Sequence, residues 1–351
     1  MFLNIKLFKK CIKLSLIFYL LVLLIVMKIK RKKKIGVICV RHEVNIGNNL
    51  LKYAIFIVLK RLGYTPYIIG THWDNFNISF INKTTNLVII KKNFTEIKED
   101  DYDILMVNSD QTWRNFDENF YDYAFLKFAK NWKIKKFVYG ASLGFDYWKL
   151  TPKDEEIAKQ LLKDFKGISI REKGSVELVK RHFGINPTVV IDPTLLIDKK
   201  YYLNIIKNLK NNMNYNYIFI YGLFLDKIML KFINKASKLL NYTIYDYVLN
   251  NQTNVENFLY LINNSKAVIT NSYHGTIFSI IFNKPFISFN YEQAGKERMI
   301  SLGKLFGCEN RIFNYNESPN YKLLNTSLKI NDTLINLLRI ESINFIKKNL
   351  E

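Results

Sequence analysis

The sequence predicts an α/β protein built as two halves, each a mostly parallel sheet covered by helices, with a boundary near residue 200. Three observations carry that expectation. From Lys34 onward, short apolar runs such as IGVICV (Ile35–Val40), ILMV (Ile104–Val107) and YIFIY (Tyr217–Tyr221) alternate with amphipathic segments. The runs are apolar throughout, as strands buried on both faces require. The rhythm restarts after DPTLLID (Asp192–Asp198) and a Lys/Asn-rich stretch, so a second set of elements begins at Tyr217.

In the first half, strand Ile35–Val40 leads through the loop RHEVNIGN into a helix. That helix carries Leu51, Ala54, Ile55, Val58, Leu59 and Leu62 at helical spacing and is closed by Gly63. Further strands are expected at Pro66–Ile69, Leu87–Ile90, Ile104–Val107, Phe137–Tyr139, Gly167–Ile170 and Thr188–Ile191, with helices at Glu155–Phe165 and Ser175–Phe183. In the second half, strands fall at Tyr217–Tyr221, Thr243–Tyr247, Ala267–Thr270 and Phe286–Phe289. Helices fall at Lys227–Leu240, Val255–Ile262 and just after His274. A last helix, Asp332–Lys348, is expected to pack back on the first half. The result is two Rossmann-like domains, 33–200 and 201–351, facing a cleft, preceded by a separate segment 1–32. In such sheets ligands bind beyond the carboxyl ends of the strands, so the loops after strands are where chemistry belongs.

Composition narrows the classes. Hydrophobic residues make up 49% of the 351, which excludes a largely disordered chain. The formal charge of +22 could serve nucleic acid, an anionic membrane or an anionic substrate. Lys, Asn and Ile are abundant everywhere, however, so most of that charge reads as a compositional bias. No RNA-binding aromatic signature, zinc-finger spacing or recognition helix is present, and nucleic acid is not expected as a partner. Cys11, Cys39 and Cys308 lie too far apart to suggest a disulfide framework or a metal cluster, which places the protein in a reducing compartment.

The N-terminus admits two readings. Leu14–Met27 is a run of 14 uncharged residues, short of the roughly 20 that span a bilayer. No small-residue cleavage site follows; six of the seven residues Lys28–Lys34 are basic. One reading is an anchor or interfacial helix, residues 12–34, holding a cytoplasmic protein to the inner face of the cell membrane. The other is that Met27 is the true start and residues 1–26 are an over-extended beginning.

Four strand-end loops carry candidate chemistry. In Arg41–Asn49 (RHEVNIGNN), Gly47 permits a tight backbone and Asn48 or Asn49 can cap a helix whose N-terminus suits an anion. An ordinary turn explains the same residues. NSDQTW delivers Ser109, Asp110 and Gln111 from the end of an apolar run, as a site or as a helix cap. SIREKGS places Arg171 and Glu172 after a buried strand; Arg171 suits a carboxylate or phosphate, or else a structural ion pair with Glu172 or Asp192. TNSYHGTIFSIIFNKPF (Thr270–Phe286) sets His274 and Gly275 at a helix start, where a lone histidine is more often structural than functional.

Together these motifs resemble the polysaccharide pyruvyl transferase family. The ordered set is NIGNNLLKYA, NSDQTW, FLKFAKNWKIKKFVYGASLG, ISIREKGS, VVIDPTLLID and TNSYHGTIFSIIFNKPF, and the resemblance spans residues 34–310. It implies a GT-B-like architecture and transfer of the pyruvyl group of phosphoenolpyruvate to sugar hydroxyls of a cell-surface glycan, forming a ketal and releasing phosphate. The family's histidine falls on His274, its strand-end arginine on Arg171, its acidic loop on Ser109 and Asp110, and its DP turn on Asp192 and Pro193. The chain departs from the family at Ser272, where an arginine often stands two before the histidine, and at Asn108, where a glycine is usual.

The roles implied are His274 as general acid or phosphate contact, Arg171 as neutraliser of the donor's charge, and Asp110 as the group that orients or deprotonates the acceptor. Asn45, Gly47, Asn48, Ser109, Gln111, Ser142, Glu172, Ser272, Gly275 and Thr276 would line the substrates. The partners implied are phosphoenolpyruvate as donor and a glycan or lipid-linked sugar as acceptor. No cofactor is implied, and no metal, since the histidines are dispersed. The alternatives are a GT-B glycosyltransferase using a nucleotide sugar and a non-catalytic membrane-associated protein of glycan assembly.

Overall fold

The computed structural model describes residues 32–39, 45–70, 80, 84, 90–91, 93–114, 120–144, 147–148, 150–209, 216–247, 254–291, 295–314, 316–328 and 330–351. The segment 1–31, residues 41–44 of the first loop and 87–89 of one expected strand lie outside these. The first sheet contains β1 (Lys34–Ile38), β2 (Thr65–Gly70), β3 (Ile90–Lys91), β4 (Ile104–Val107), β5 (Lys135–Ala141), β6 (Gly167–Ile170) and β7 (Thr188–Val189). Its helices are α1 (Ile46–Arg61), α2 (Phe120–Phe125), α3 (Pro152–Leu162), α4 (Val176–Phe183) and, beyond β7, α5 (Lys199–Ile206). The second sheet contains β8 (Tyr217–Tyr221), β9 (Thr243–Asp246), β10 (Ala267–Thr270), β11 (Phe286–Asn290) and β12 (Ile312–Asn314). With it come α6 (Lys227–Leu240), α7 (Val255–Asn264), α8 (Tyr273–Ile281), α9 (Lys296–Phe306) and the final α10 (Asp332–Leu350).

Every strand pair in both sheets is parallel. The central strands are buried on both faces, which explains their unbroken apolar runs. The strand orders decide where a ligand can bind. The first sheet runs β3-β2-β1-β4-β5-β6-β7 and the second β12-β11-β10-β8-β9. The order therefore reverses between β1 and β4 in one and between β8 and β10 in the other. At such a point the two flanking crossovers leave on opposite sides, opening a crevice beyond the strand ends. The loops carrying Asn45–Asn48, Ser109–Gln111 and Ser272–Gly275 all emerge at these two points.

Capping sets the starts of the helices involved. Asn45 accepts from the Asn48 amide at 3.2 Å to begin α1, and Ser272 accepts from the Gly275 amide at 3.4 Å to begin α8. Such a cap stabilises a helix by about 1 kcal/mol. The final helix lies against the first sheet. Ser342 accepts from the Ile191 amide at 3.1 Å, the Phe345 and Tyr139 rings sit 6.3 Å apart, and Gly167 leaves no room for a side chain beside Asn349.

The differences from expectation are local. β7 stops at Val189, because an edge strand with one neighbour pairs only briefly. α2, α5, α9 and β12 were not expected. The apolar side chains that α9 buries form a narrow stripe, Met299, Leu302 and Phe306, interrupted by Gly303, and β12 is three residues long.

Candidate functional site

Asp110 is the hub of the crevice. It follows β4 with φ 97°, a left-handed backbone that a non-glycine residue adopts only when neighbours hold it there. Those neighbours are at the end of β5 and just beyond it: the Asp110 carbonyl accepts from the Ser142 amide at 3.0 Å, and Asp110 bridges to Ala141. Ser109 donates to the Gly140 carbonyl at 2.7 Å, so its hydroxyl is committed to the turn. The strained turn presents the Asp110 carboxylate to three groups. Asn48 Nδ2 donates to Oδ2 at 3.0 Å, while Oδ1 faces Arg171 Nη2 at 3.4 Å and Arg298 Nη1 at 3.6 Å.

Two guanidiniums thus share one carboxylate oxygen. They also share a ring: Arg171 and Arg298 lie 5.0 and 4.8 Å from the centroid of Tyr273. Both arginines are buried, at 7% exposure each. Burial alone would pull the Arg171 guanidinium down, but Tyr273, Asp192, Asp110 and Glu172 together hold it above its ordinary value. Arg298 is different. Burial and the neighbouring Arg171 charge lower it to about 10, with Asp110 opposing. It stays cationic at neutral pH but is held less well, which marks it as the side chain that a further anion would relieve.

Asp192 divides its carboxylate between fold and site. Oδ1 accepts from the Thr194 amide at 2.9 Å and from its hydroxyl at 2.6 Å, closing the DPT turn. Oδ2 pairs with Arg171 Nη1 and lies 3.9 Å from His274 Nε2. Arg171 therefore joins Asp192 as one reading of the sequence allowed, and Asp110 as well.

His274 enters from the second sheet, in the first turn of α8, and is buried. Its Nε2 makes no hydrogen bond among the described residues. Burial holds its pKa below 6.5, with Asp192 and Asp110 opposing and the two arginines reinforcing the shift, so the ring is neutral at pH 7. The imidazole lies against Gly47 on α1; a Cβ there would fall closer than 3.0 Å to ring atoms. The two helix starts meet at this contact.

The other expected residues sort by what their side chains do. Asn45 and Ser272 are spent as caps. The Thr276 hydroxyl meets Ser288 Oγ at 2.9 Å, inside the second half. Gly275 lets α8 close on Thr270, where a Cβ would collide with its hydroxyl. Gln111 is wedged between Gly144 and Gly295; a Cβ on either would come within 2.8 or 2.7 Å of its amide nitrogen, and both glycines have positive φ. Glu172 is buried, and burial pushes its carboxyl up, with Arg171 and Ser142 pulling the other way. Among the described residues no group of three His, Cys, Asp or Glu side chains is arranged to hold a metal ion.

Sequence reasoning missed Arg298 and Tyr273. Arg298 sits in the first turns of α9, an element with little apolar pattern. One signal was available: this chain draws most of its positive charge from lysine, so an arginine is the less common choice and asks for a geometric reason.

Comparisons with known proteins bear on the family and the fold. The family model described as polysaccharide pyruvyl transferase matches residues 45–293. No curated protein sequence matches the chain. Among solved structures, the fold is similar to UDP-GlcNAc 2-epimerase from Neisseria meningitidis bound to UDP-GlcNAc, with TM-score 0.58 and 12% identity over 90% of this chain and 100% of that one. It is also similar to UDP-GlcNAc 2-epimerase from Methanocaldococcus jannaschii, with TM-score 0.57 and 14% identity over 88% and 99%. A glycosyltransferase from Rickettsia africae gives TM-score 0.52 and 14% identity over 91% and 94%. At these identities the likeness is one of fold, the GT-B arrangement. With two-thirds of the chain inside the family match, and the family's motifs converging on one crevice, the protein belongs to the polysaccharide pyruvyl transferase family and is a transferase of polysaccharide biosynthesis.

Proposed function

We propose that the protein transfers the pyruvyl group of phosphoenolpyruvate to two hydroxyls of one sugar, forming a cyclic ketal and releasing phosphate. The observation that carries this reading is the buried arginine pair sharing Asp110 Oδ1 beside a neutral His274. Phosphoenolpyruvate bears a carboxylate and a phosphate on one carbon. Two guanidiniums a ring apart suit that pair of anions, and one carboxylate oxygen between them is a weak substitute for both.

The steps balance as follows. The first hydroxyl adds to C2 of the donor, and the π electrons of the C2–C3 bond take up a proton at C3. The second hydroxyl then attacks C2, the C2–O bond to phosphate breaks, and phosphate leaves with the bonding pair. The donor's negative charge would raise the proton affinity of His274, with Asp192 stabilising the imidazolium, so that His274 supplies the C3 proton. Asp110, freed as the donor takes over the guanidiniums, accepts the proton of the first hydroxyl and passes it to the departing phosphate, while the proton of the second hydroxyl goes to His274, neutral after protonating C3. Arg298 from α9 would fill the part that an arginine at position 272 plays elsewhere in the family.

The same proposal places the work at the inner face of the cell membrane, supported by the uncharged run Leu14–Met27 and its lysine flanks. A chain started at Met27 that still pellets fully with membranes would remove that support. The reaction itself is tested by incubating the protein with phosphoenolpyruvate and lipid-linked glycans, then reading product mass and phosphate release. A pyruvyl increment with stoichiometric phosphate is expected. A hexosyl increment from a nucleotide sugar instead would establish the glycosyltransferase alternative.

A further inference from the structure

A cavity of about 450 Å³ opens beside Arg171, walled by α9, α10 and the end of β7. The stripe Glu297, Ser301 and Lys304 on α9 forms one wall, and Leu338 and Glu341 on α10 form another. The floor is the end of the edge strand, where Val189 is 43% exposed. At one end the loop after β6 closes against α9 so tightly that Gly174 has no space for a Cβ beside Glu297. Arg171 belongs to the lining as well, so an occupant would lie one side chain from Asp110 and Asp192.

The chemistry of the lining restricts the occupant. None of the lining residues is aromatic, so nothing there would stack on a nucleobase. Glu297 and Glu341 oppose Lys173 and Lys304, and the remaining charge in the lining, Arg171, is already paired with Asp110 and Asp192, which disfavours a strongly anionic ligand. What remains is an aliphatic floor with carboxylates and ammonium groups around its rim. That suits the C–H face and the hydroxyls of a neutral carbohydrate, and the volume suits a disaccharide-sized one.

We infer that this cavity is the acceptor subsite, holding a neutral disaccharide unit of the glycan so that its hydroxyls meet the donor at Arg171. The inference rests on the transferase reading above. Its test uses the full chain, with lactose and N,N′-diacetylchitobiose as probes in saturation-transfer NMR and phosphoenolpyruvate in a separate titration. Lys304→Ala and Glu341→Gln alter exposed side chains and should leave the fold intact; Ser301→Trp fills the cavity. The expected result is saturation transfer to at least one disaccharide in the wild type, weakened roughly tenfold in each variant, with phosphoenolpyruvate affinity unchanged. No transfer to either disaccharide, or transfer undiminished in Lys304→Ala and Glu341→Gln, overturns the inference. Disaccharide binding without any binding of phosphoenolpyruvate would sink the donor assignment and leave the subsite standing.

Discussion

The imidazole of His274 rests on the bare backbone of Gly47, so a histidine at a helix start in one half is positioned by a missing side chain in the other. In an isolated helix Gly→Ala would be stabilising by about 1 kcal/mol. Here the added methyl must push the ring aside. Gly47→Ala is expected to fold and to lose on the order of 10²-fold in kcat, the scale of an ångström-sized misplacement. A variant with wild-type kcat would show that His274 has no positional requirement.

Arg298 is predicted to hold the donor rather than the fold. Arg298→Gln should weaken phosphoenolpyruvate binding on the order of 10–100-fold by titration calorimetry. Arg298→Lys should recover only part of that loss, since an ammonium cannot offer two parallel donors or stack on Tyr273. Equal affinity in all three proteins would reduce Arg298 to a counter-ion of Asp110.

Asp192 is predicted to matter for stability first. Asp192→Asn keeps an acceptor for Thr194 but strips the charge from a buried pair with Arg171. Removing one partner of such a pair costs about 3 kcal/mol. Urea unfolding measures it, and a loss under about 1 kcal/mol would mean that Asp110 and Glu172 satisfy Arg171 without Asp192.

Two buried groups give pH signatures of opposite sign. Because burial lowers the His274 pKa, the unfolded chain takes a proton below pH 6.5 that the native chain refuses. Native stability relative to His274→Asn should therefore fall as pH drops through 6.5. Glu172 is raised above 4.5, so the native chain binds its proton first and the cost of the buried charge is felt at higher pH. Glu172→Gln should be more stable than wild type at about pH 8, with the advantage vanishing as pH falls through 4.5. Thermal unfolding across pH reads both, and a flat difference curve for either pair contradicts the corresponding assignment.

The legible part of the molecule was the part governed by local rules. Ile104–Val107, Gly167–Ile170, Tyr217–Tyr221 and Ala267–Thr270 were delimited to the residue, because a strand buried on both faces reads as a nearly continuous apolar run. Asp110, Arg171 and His274 were legible because each follows such a run. α9 was not, since its apolar stripe is narrow and broken by Gly303, and Arg298 was lost with it.

By itself, then, the sequence determined two parallel α/β halves, their order and which loops reach the crevice, since each follows from residue periodicity and strand ends, while six ordered motifs carried the resemblance to the family. Only the tertiary structure decided how those loops meet. It set Asp110 Oδ1 between two arginines, turned one oxygen of Asp192 to the fold and the other to the site, and laid His274 on Gly47. Each is a contact between residues far apart in the chain, and no local pattern encodes the distance between the ends of two separate sheets.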